Sequence, residues 1–373
     1  MPSPFQTAHA LSSKPNELVN LCLNQLDLST ADYRLGFIYL SDALARELPT
    51  ILELLRDSSG IDNWVGSLGV ALCTTNKEIY DSAGMVIMVT DLSEDDYRLI
   101  PCLKHEVSSF FDSQSDWLTQ HQPQLAVVHG DPSNAAIPAL VEEFSTQLGE
   151  GFLTGALTSS QAEMLQLAGD ITHGGLSGIV FSSSLNILTG HTQGCSPISE
   201  PHTISECHRN IVSKLDGRPA LEVLKEDVGE VLARDLSRLG GYIFAGLPIA
   251  GSDTRDYLVR NLIGIDPDRE IIAIGDLLEE GDGMLFCRRD GNTARDDMLR
   301  MLENLKKRVG NRIIRGALYH SCLGRGRYQF GDDSEELALI SQVLGDIPLV
   351  GFFANGEIFH QRIYGYTGVL TLF

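Results

Sequence analysis

The sequence predicts an α/β to α+β protein: mixed sheets built from repeated β-α-β-β units with helices packed on them, plus a central antiparallel meander. Three observations carry this expectation. The same order of apolar runs and turn residues occurs three times along the chain. A strand–helix–strand crossover makes its two strands parallel, and an added strand can return antiparallel. Between the second and third occurrences lies a series of short runs separated by turn residues. The composition, 43% hydrophobic and 21% charged over 373 residues, is that of a globular protein long enough for two domains.

The first unit opens with Leu35–Leu40 as a buried strand ending at Ser41-Asp42. A helix follows, with Leu48, Ile51, Leu52 and Leu55 on one face. Pro49 near its start is tolerated because the first-turn N–H has no helical partner. Trp64–Leu72 and Gly84–Thr90 are the next strands. In the second unit, Leu125–Val128 leads to His129-Gly130-Asp131-Pro132, Pro138 opens a helix, and Phe152–Leu157 and Leu176–Phe181 are strands. In the third, Gly316–Tyr319 leads to His320-Ser321-Cys322, Asp333 starts a helix, and Leu349–Phe353 and Gly368–Leu372 close the unit. The units cover 37–89, 125–181 and 317–372. Thr75-Asn76-Lys77-Glu78-Ile79-Tyr80 also echoes Ala354-Asn355-Gly356-Glu357-Ile358-Phe359.

The intervening residues read differently. Residues 184–219 look like a long crossover, and Ala220–Arg238 like a helix with Leu221, Leu224, Val228 and Leu232 in register. Short strands follow at Tyr242–Gly246, Tyr257–Ile265, Glu270–Gly275 and Gly283–Arg288. A helix capped by Thr293 comes next.

The net charge is −22, which argues against nucleic acid and against an anionic membrane surface as partners. Residues 1–180 hold 7 basic and 23 acidic side chains, whereas 17 of the 21 arginines lie beyond residue 180. An anionic group of a ligand is therefore expected nearer the second part. The N-terminus lacks the basic and apolar regions of a signal peptide, and no apolar run is long enough to span a bilayer. Seven cysteines without a CxxC pair fit a reducing cytoplasm.

Ligands of open α/β sheets bind outside the carboxyl ends of parallel strands. Those ends carry Ser41-Asp42, His129-Gly130-Asp131 and His320-Ser321-Cys322; the loops after the following strands carry Thr74-Thr75-Asn76, Thr158-Ser159-Ser160 and Asn355-Gly356-Glu357. Ordinary turn chemistry uses the same residue types. Tyr319–Arg327 is the densest segment. His320 and Cys322, two apart, face one side of a strand. An imidazolium there could activate the thiol as a nucleophile; a packed, inert cysteine is the commoner outcome. Arg325 and Arg327 could clamp a carboxylate. Glu357 could accept from a ligand amine, pairing with Arg325 around a zwitterion, or simply cap its turn. The candidate ligand-binding set is His320, Cys322, Arg325, Asn355 and Glu357, with Thr74, Thr75 and Asn76. No metal-binding spacing occurs among the ten histidines. His202 and His208 beside Cys207 could ligate a metal only if the fold gathers them.

Leu215-Asp216-Gly217-Arg218-Pro219-Ala220-Leu221-Glu222-Val223-Leu224, Tyr257–Gly264, His320–Gly326, Pro348–Thr367 and Gly194-Cys195-Ser196-Pro197-Ile198 resemble the FIST domain family. The resemblance implies a helical lead-in over 1–30, a FIST N-terminal domain over 31–219 and a FIST C-terminal domain over 220–373. It implies a cytoplasmic sensory protein that binds an amino-acid-like or other polar metabolite, rather than an enzyme. With no F-box, kinase, cyclase or receptor segment in this sequence, it implies signalling through a separate partner such as a histidine kinase, a cyclic-dinucleotide enzyme or a chemotaxis receptor. Haem bound for nitric-oxide sensing is the alternative cofactor reading, and Cys322-dependent catalysis the second alternative.

Overall fold

The computed structural model describes residues 5–149, 151–249 and 257–373. They form two compact units, one of residues 1–192 with 295–373 and one of residues 193–294. The first unit is a threefold repeat. Repeat one runs β1 (Gln6–Leu11), α1 (Pro15–Leu23), β2 (Leu35–Ser41), α2 (Leu48–Ser59), β3 (Asn63–Gly69), β4 (Ala71–Thr74), β5 (Lys77–Ile79) and β6 (Gly84–Thr90). Repeat two runs β7 (Tyr97–Leu103), α3 (Ser108–Ser113), α4 (Ser115–His121), β8 (Leu125–Gly130), α5 (Ile137–Gln147), β9 (Phe152–Leu157), β10 (Gln166–Ala168), β11 (Asp170–Thr172) and β12 (Leu176–Phe181). From residue 6 to 90 and from 97 to 181, these two are the same length.

Repeat three opens with β13 (Leu188–Gln193) and is then interrupted by the second unit. That unit holds β14 (Cys195–Pro197), β15 (His202–His208), β16 (Ile211–Leu215), β17 (Arg218–Pro219), α6 (Ala220–Ala233), β18 (Ile243–Pro248), β19 (Tyr257–Asp266), β20 (Ile271–Ile274) and β21 (Gly283–Arg289). The repeat resumes with α7 (Gly291–Val309), β22 (Ala317–Cys322), α8 (Glu335–Leu344), β23 (Leu349–Ala354), β24 (Glu357–His360), β25 (Arg362–Tyr364) and β26 (Thr367–Leu372).

In every repeat the expected β-α-β-β order holds: β2–β3, β8–β9 and β22–β23 are parallel, and β6, β12 and β26 return antiparallel to β2, β8 and β22. Each sheet is then completed by a hairpin from another repeat. The orders are β1-β6-β2-β3-β10-β11, β25-β24-β9-β8-β12-β7 and β13-β26-β22-β23-β4-β5. Hairpin two joins sheet one, hairpin three joins sheet two and hairpin one joins sheet three, so the exchange closes a ring. One glycine per repeat makes the crowded parallel pairing possible. A Cβ on Gly66, Gly155 or Gly351 would lie 1.6, 1.9 or 1.7 Å from the carbonyl oxygen of Ile38, Val128 or Tyr319 on the neighbouring strand.

The inner faces of the three sheets share one core, with Phe37, Tyr39, Val127, Ala156, Leu318 and Phe352 among its members. The outer faces are covered by helices: α1 and α2 over sheet one through Leu18, Ile51 and Leu55, and α5 over sheet two through Leu140, Val141 and Phe144. Met301 and Leu305 of α7 pack against Gly190 of β13 in sheet three. The prolines act as expected, Pro15, Pro49 and Pro138 each lying in a first helical turn, and α2 ends on Gly60 at φ 72°. In the second unit β18 pairs with both β19 and β21, which closes the sheet β14-β21-β15-β16-β20-β19-β18 on itself around a core that includes Leu221 and Leu224 of α6.

Several expectations are corrected. Trp64–Leu72 is not one strand: the chain breaks at Val70, leaves sheet one and enters sheet three. A continuous apolar run marks burial, not which sheet buries it. The lead-in carries the strand β1 before its helix, because His9 and its neighbours pair with β6; residues 1–4 lie outside the described residues. The crossover at 184–219 is strands β13 to β17, its Gly, Ser and Pro content having masked short strands. The echo between 75–80 and 354–359 is not an equivalence. Glu78 lies on the second strand of its hairpin and Glu357 on the first of its own. Asp290, not Thr293, caps α7, its Oδ1 accepting from the Asn292 and Thr293 N–H groups at 2.9 and 3.1 Å.

Candidate functional site

The middle strand of each sheet places one polar residue at the same position on the inner face. In β2 it is Tyr39, in β8 His129 and in β22 His320, opposite Ser67, Ala156 and Phe352 respectively. All three are fully buried. The Tyr39 hydroxyl lies 3.2 Å from His129 Nε2 and 3.0 Å from His320 Nε2. Burial lowers both imidazoles, His320 to about 3, so both are neutral. Both contacts are hydrogen bonds when the hydroxyl donates to one Nε2 and accepts from the other. The two rings then hold opposite tautomers. Neither Nδ1 has a hydrogen-bond partner.

Cys322, on the same face of β22, lies at the carboxyl end of the strand. The thiol is pushed far above its ordinary value by burial, and further by the Glu357 carboxyl nearby. No imidazolium is present to activate it, because His320 stays neutral. The His320–Cys322 pair thus lacks the imidazolium that the nucleophile alternative called for.

Arg325 follows in the same turn and is 0% exposed. Its Nε donates to Glu336 Oε1 at 2.7 Å. The same oxygen accepts from the Tyr319 hydroxyl at 2.6 Å and Ser321 Oγ at 2.9 Å, and Oε2 accepts from the Gly326 N–H at 2.7 Å. Glu336, in the first turn of α8, is thus saturated, and the Arg325 charge is balanced inside the protein. Phe330 lies under the guanidinium at 4.9 Å. Arg325 Nη1 nevertheless has no partner. Arg327, by contrast, faces outward, paired with Asp81 at 2.6 Å.

Glu357 begins β24, the hairpin strand that repeat three lends to sheet two. It lies opposite Ala156, whose other neighbour across the sheet is His129. Glu357 is 0% exposed. Its Oε2 accepts from Thr367 Oγ1 at 2.7 Å and the Thr367 N–H at 3.2 Å, while Oε1 has no partner. Burial pushes its carboxyl up to about 8 against the pull of those hydrogen bonds. Glu78 is a second buried carboxyl with a partnerless Oε1, pushed up to about 7 by burial and then by the charge of Glu336.

Asn355 is exposed, and its Nδ2 donates to the Thr158 carbonyl at 3.1 Å. Thr158 and Ser159 lace the carboxyl ends of the parallel pairs together. Thr158 Oγ1 is 2.8 Å from Ser67 Oγ, and Ser159 Oγ accepts from the Val70 N–H and donates to the Phe353 carbonyl. Thr74, Thr75 and Asn76 are not part of this cluster. Because β4 is antiparallel to β23, Thr74 lies opposite Val350 near the start of β23. That is four residues, about 13 Å, from Ala354 at the other end of the strand. Thr75 Oγ1 bonds the Ile347 carbonyl and the Leu349 N–H, and Asn76 Nδ2 bonds Asp346, so they dock the hairpin. The expectation placed them at a carboxyl end because it missed the change of sheet at Val70.

Haem does not fit the buried histidines. Both Nε2 atoms are committed to Tyr39, and the Phe352 ring lies 5.5 and 6.0 Å from the two imidazoles. In the second unit burial pulls the His202 pKa down, but Asp216 and Asp227, at 2.7 and 2.9 Å, together raise it above the ordinary value. It is not gathered with His208 and Cys207. Among the described residues no group of three or more metal-ligating side chains is arranged to hold an ion. Nor is any described helix long and apolar enough to cross a membrane.

Sequence reasoning placed His129 at a strand's carboxyl end but left it out of the candidate set, and missed Tyr39 and Glu336. Aligning the three repeats on their first inner strands would have put Tyr39 and His129 beside His320. For Glu336 no spacing rule exists, since it meets Arg325 only through the docking of α8.

A FIST N domain model matches residues 34–218 and a FIST C domain model residues 220–360. An uncharacterized protein of Mycobacterium tuberculosis is 31% identical over 258 residues, 65% of this chain and 66% of the relative. An uncharacterized protein of Mycobacterium bovis is 34% identical over 191 residues, 49% of each. The matched stretch thus spans just under two thirds of the first relative and about half of the second. With both domain models matched in order over most of its length, the chain belongs to the FIST family, whose domains are sensor domains of signal-transduction proteins.

Proposed function

We propose that this chain is a receptor, not a catalyst, for a small amine-bearing metabolite of the amino-acid type. The amine meets Glu357 and the carboxylate meets Arg325. One observation carries the reading: Glu357 Oε1 and Arg325 Nη1, on wholly buried side chains that act electrostatically on each other, both lack a partner. An unsatisfied buried polar atom costs roughly 1–3 kcal/mol, more when charged, so a bound molecule that completes both gains that energy back.

Burial of both groups means that a ligand enters only when the fold opens locally. The element that opens is the β24–β25 hairpin, which carries Glu357 and is docked on β9 of another repeat. A ligand held by Glu357 therefore favours one docking of the hairpin over another, and that difference is what a separate partner reads. A histidine kinase, a cyclic-dinucleotide enzyme or a chemotaxis receptor in the same cytoplasm would suit the role.

Isothermal titration with an amino-acid panel tests the reading, on wild type and Glu357→Gln. The glutamine keeps the Thr367 bonds but cannot give up a proton to become the carboxylate that an ammonium group would pair with. At least one amino acid is expected to bind wild type and to lose tenfold or more in affinity with Glu357→Gln. Equal affinity for both proteins, or no binding by any member, rejects the site.

A further inference from the structure

The other end of the three inner strands holds a cleft of about 270 Å³. Phe5, Leu92, Leu185, Ile187 and Phe373 form its apolar wall, and Arg312 and Arg315 lie in its lining. It sits beside an unusual stretch of this acidic chain. Between Glu303 and Asp332 there is no acidic residue, while Lys306, Lys307, Arg308, Arg312 and Arg315 crowd the end of α7 and the turn into β22. Ile313, also in the lining, is 84% exposed.

The two guanidinium groups differ. Arg315 is engaged, paired with Asp91 and stacked over Phe5 at 4.6 Å. Arg312 donates only to main-chain carbonyls, from Nε to Val309 at 3.2 Å and from Nη2 to Arg308 at 2.9 Å. Those bonds fix the guanidinium at the helix end and leave its charge without a carboxylate among the described residues. An apolar cavity with one oriented cation at its mouth selects an amphipathic anion.

At roughly 30 Å³ per water-sized group, we propose that the cleft binds a free aliphatic monocarboxylate of about eight to ten carbons, its tail against Phe5, Leu185, Ile187 and Phe373 and its carboxylate on Arg312. The site is independent of the Glu357 receptor site, and its test does not involve that residue.

Titration calorimetry of the whole chain with octanoate, decanoate, decanol and decylamine tests this, on wild type and Arg312→Gln. Arg312 is exposed, and far-UV circular dichroism checks that the variant keeps the fold. Decanoate is expected to bind one to one, with about fourfold weaker binding for each methylene removed. Arg312→Gln should weaken decanoate tenfold or more and leave decanol unchanged. Decylamine binding as tightly as decanoate, an unchanged affinity in Arg312→Gln, or no binding of decanoate overturns the proposal. A wild-type dimer that Arg312→Gln dissociates and decanoate does not would assign the cleft to a second copy of the chain and also overturn it.

Discussion

Replacing Glu357 by glutamine should change how stability depends on pH, by an amount that follows from its burial. The carboxyl is pushed from 4.5 to about 8 in the folded protein. Between those values the folded state keeps the proton and the unfolded chain releases it. The stabilisation from this group is therefore full below pH 4.5 and is lost as pH rises through about 8. One pKa unit corresponds to about 1.4 kcal/mol, so wild type at pH 8 has lost about 4 kcal/mol of that contribution. Glutamine has no proton to release. Urea unfolding of dialysed wild type and Glu357→Gln at pH 5 and pH 8 measures the difference. The variant should gain about 3 kcal/mol on wild type between the two pH values. A difference between the proteins that stays constant from pH 5 to pH 8 would show that Glu357 is ionised in the fold, and the argument from its burial would fail.

Further outcomes follow from the same geometry. His129 and His320 lie below the unfolded value of 6.5, so their stabilisation is present above pH 6.5 and is lost as pH falls below it. Nitrogen NMR of the imidazoles at pH 5 should show two neutral rings in opposite tautomers; a ring titrating near 6.5 contradicts the buried triad. Gly351→Ala places a Cβ 1.7 Å from the Tyr319 carbonyl and should destabilise the fold by about 4 kcal/mol in urea unfolding. Gly149→Ala, where nothing lies within 4 Å but φ is 72°, should cost about 1 kcal/mol. If both cost the same, the crowding at the parallel pair is not what fixes Gly351. Cys322 should react with iodoacetamide at pH 7 more slowly than a free thiol, as burial raises it. Fast labelling would revive it as a nucleophile.

Much of the fold was legible because its signals are local. Apolar runs of strand length, prolines in first helical turns and the order β-α-β-β all lie within short windows. The ring of exchanged hairpins was not legible. Ala71–Thr74 reads the same whether it continues β3 or pairs with β23, and the choice is made by contacts some 280 residues away in sequence. That one ambiguity misplaced Thr74, Thr75 and Asn76. The site was legible in part. His320, Cys322, Arg325 and Glu357 were found from one dense segment and one motif, and the shared face of His320 and Cys322 followed from strand alternation. Their chemistry was not, because it is set by burial. Sequence suggests an imidazolium, a thiolate and an open clamp. The enclosed core makes the first two neutral, and Glu336 closes half of the third.

Native mass spectrometry of the chain purified without added ligand tests the central claim most directly. Wild type is predicted to retain a small molecule that carries an amine and a carboxylate, at one per chain, and Glu357→Gln purified in parallel to lose it. A retained molecule without an amine, or one held equally by both proteins, would contradict the account.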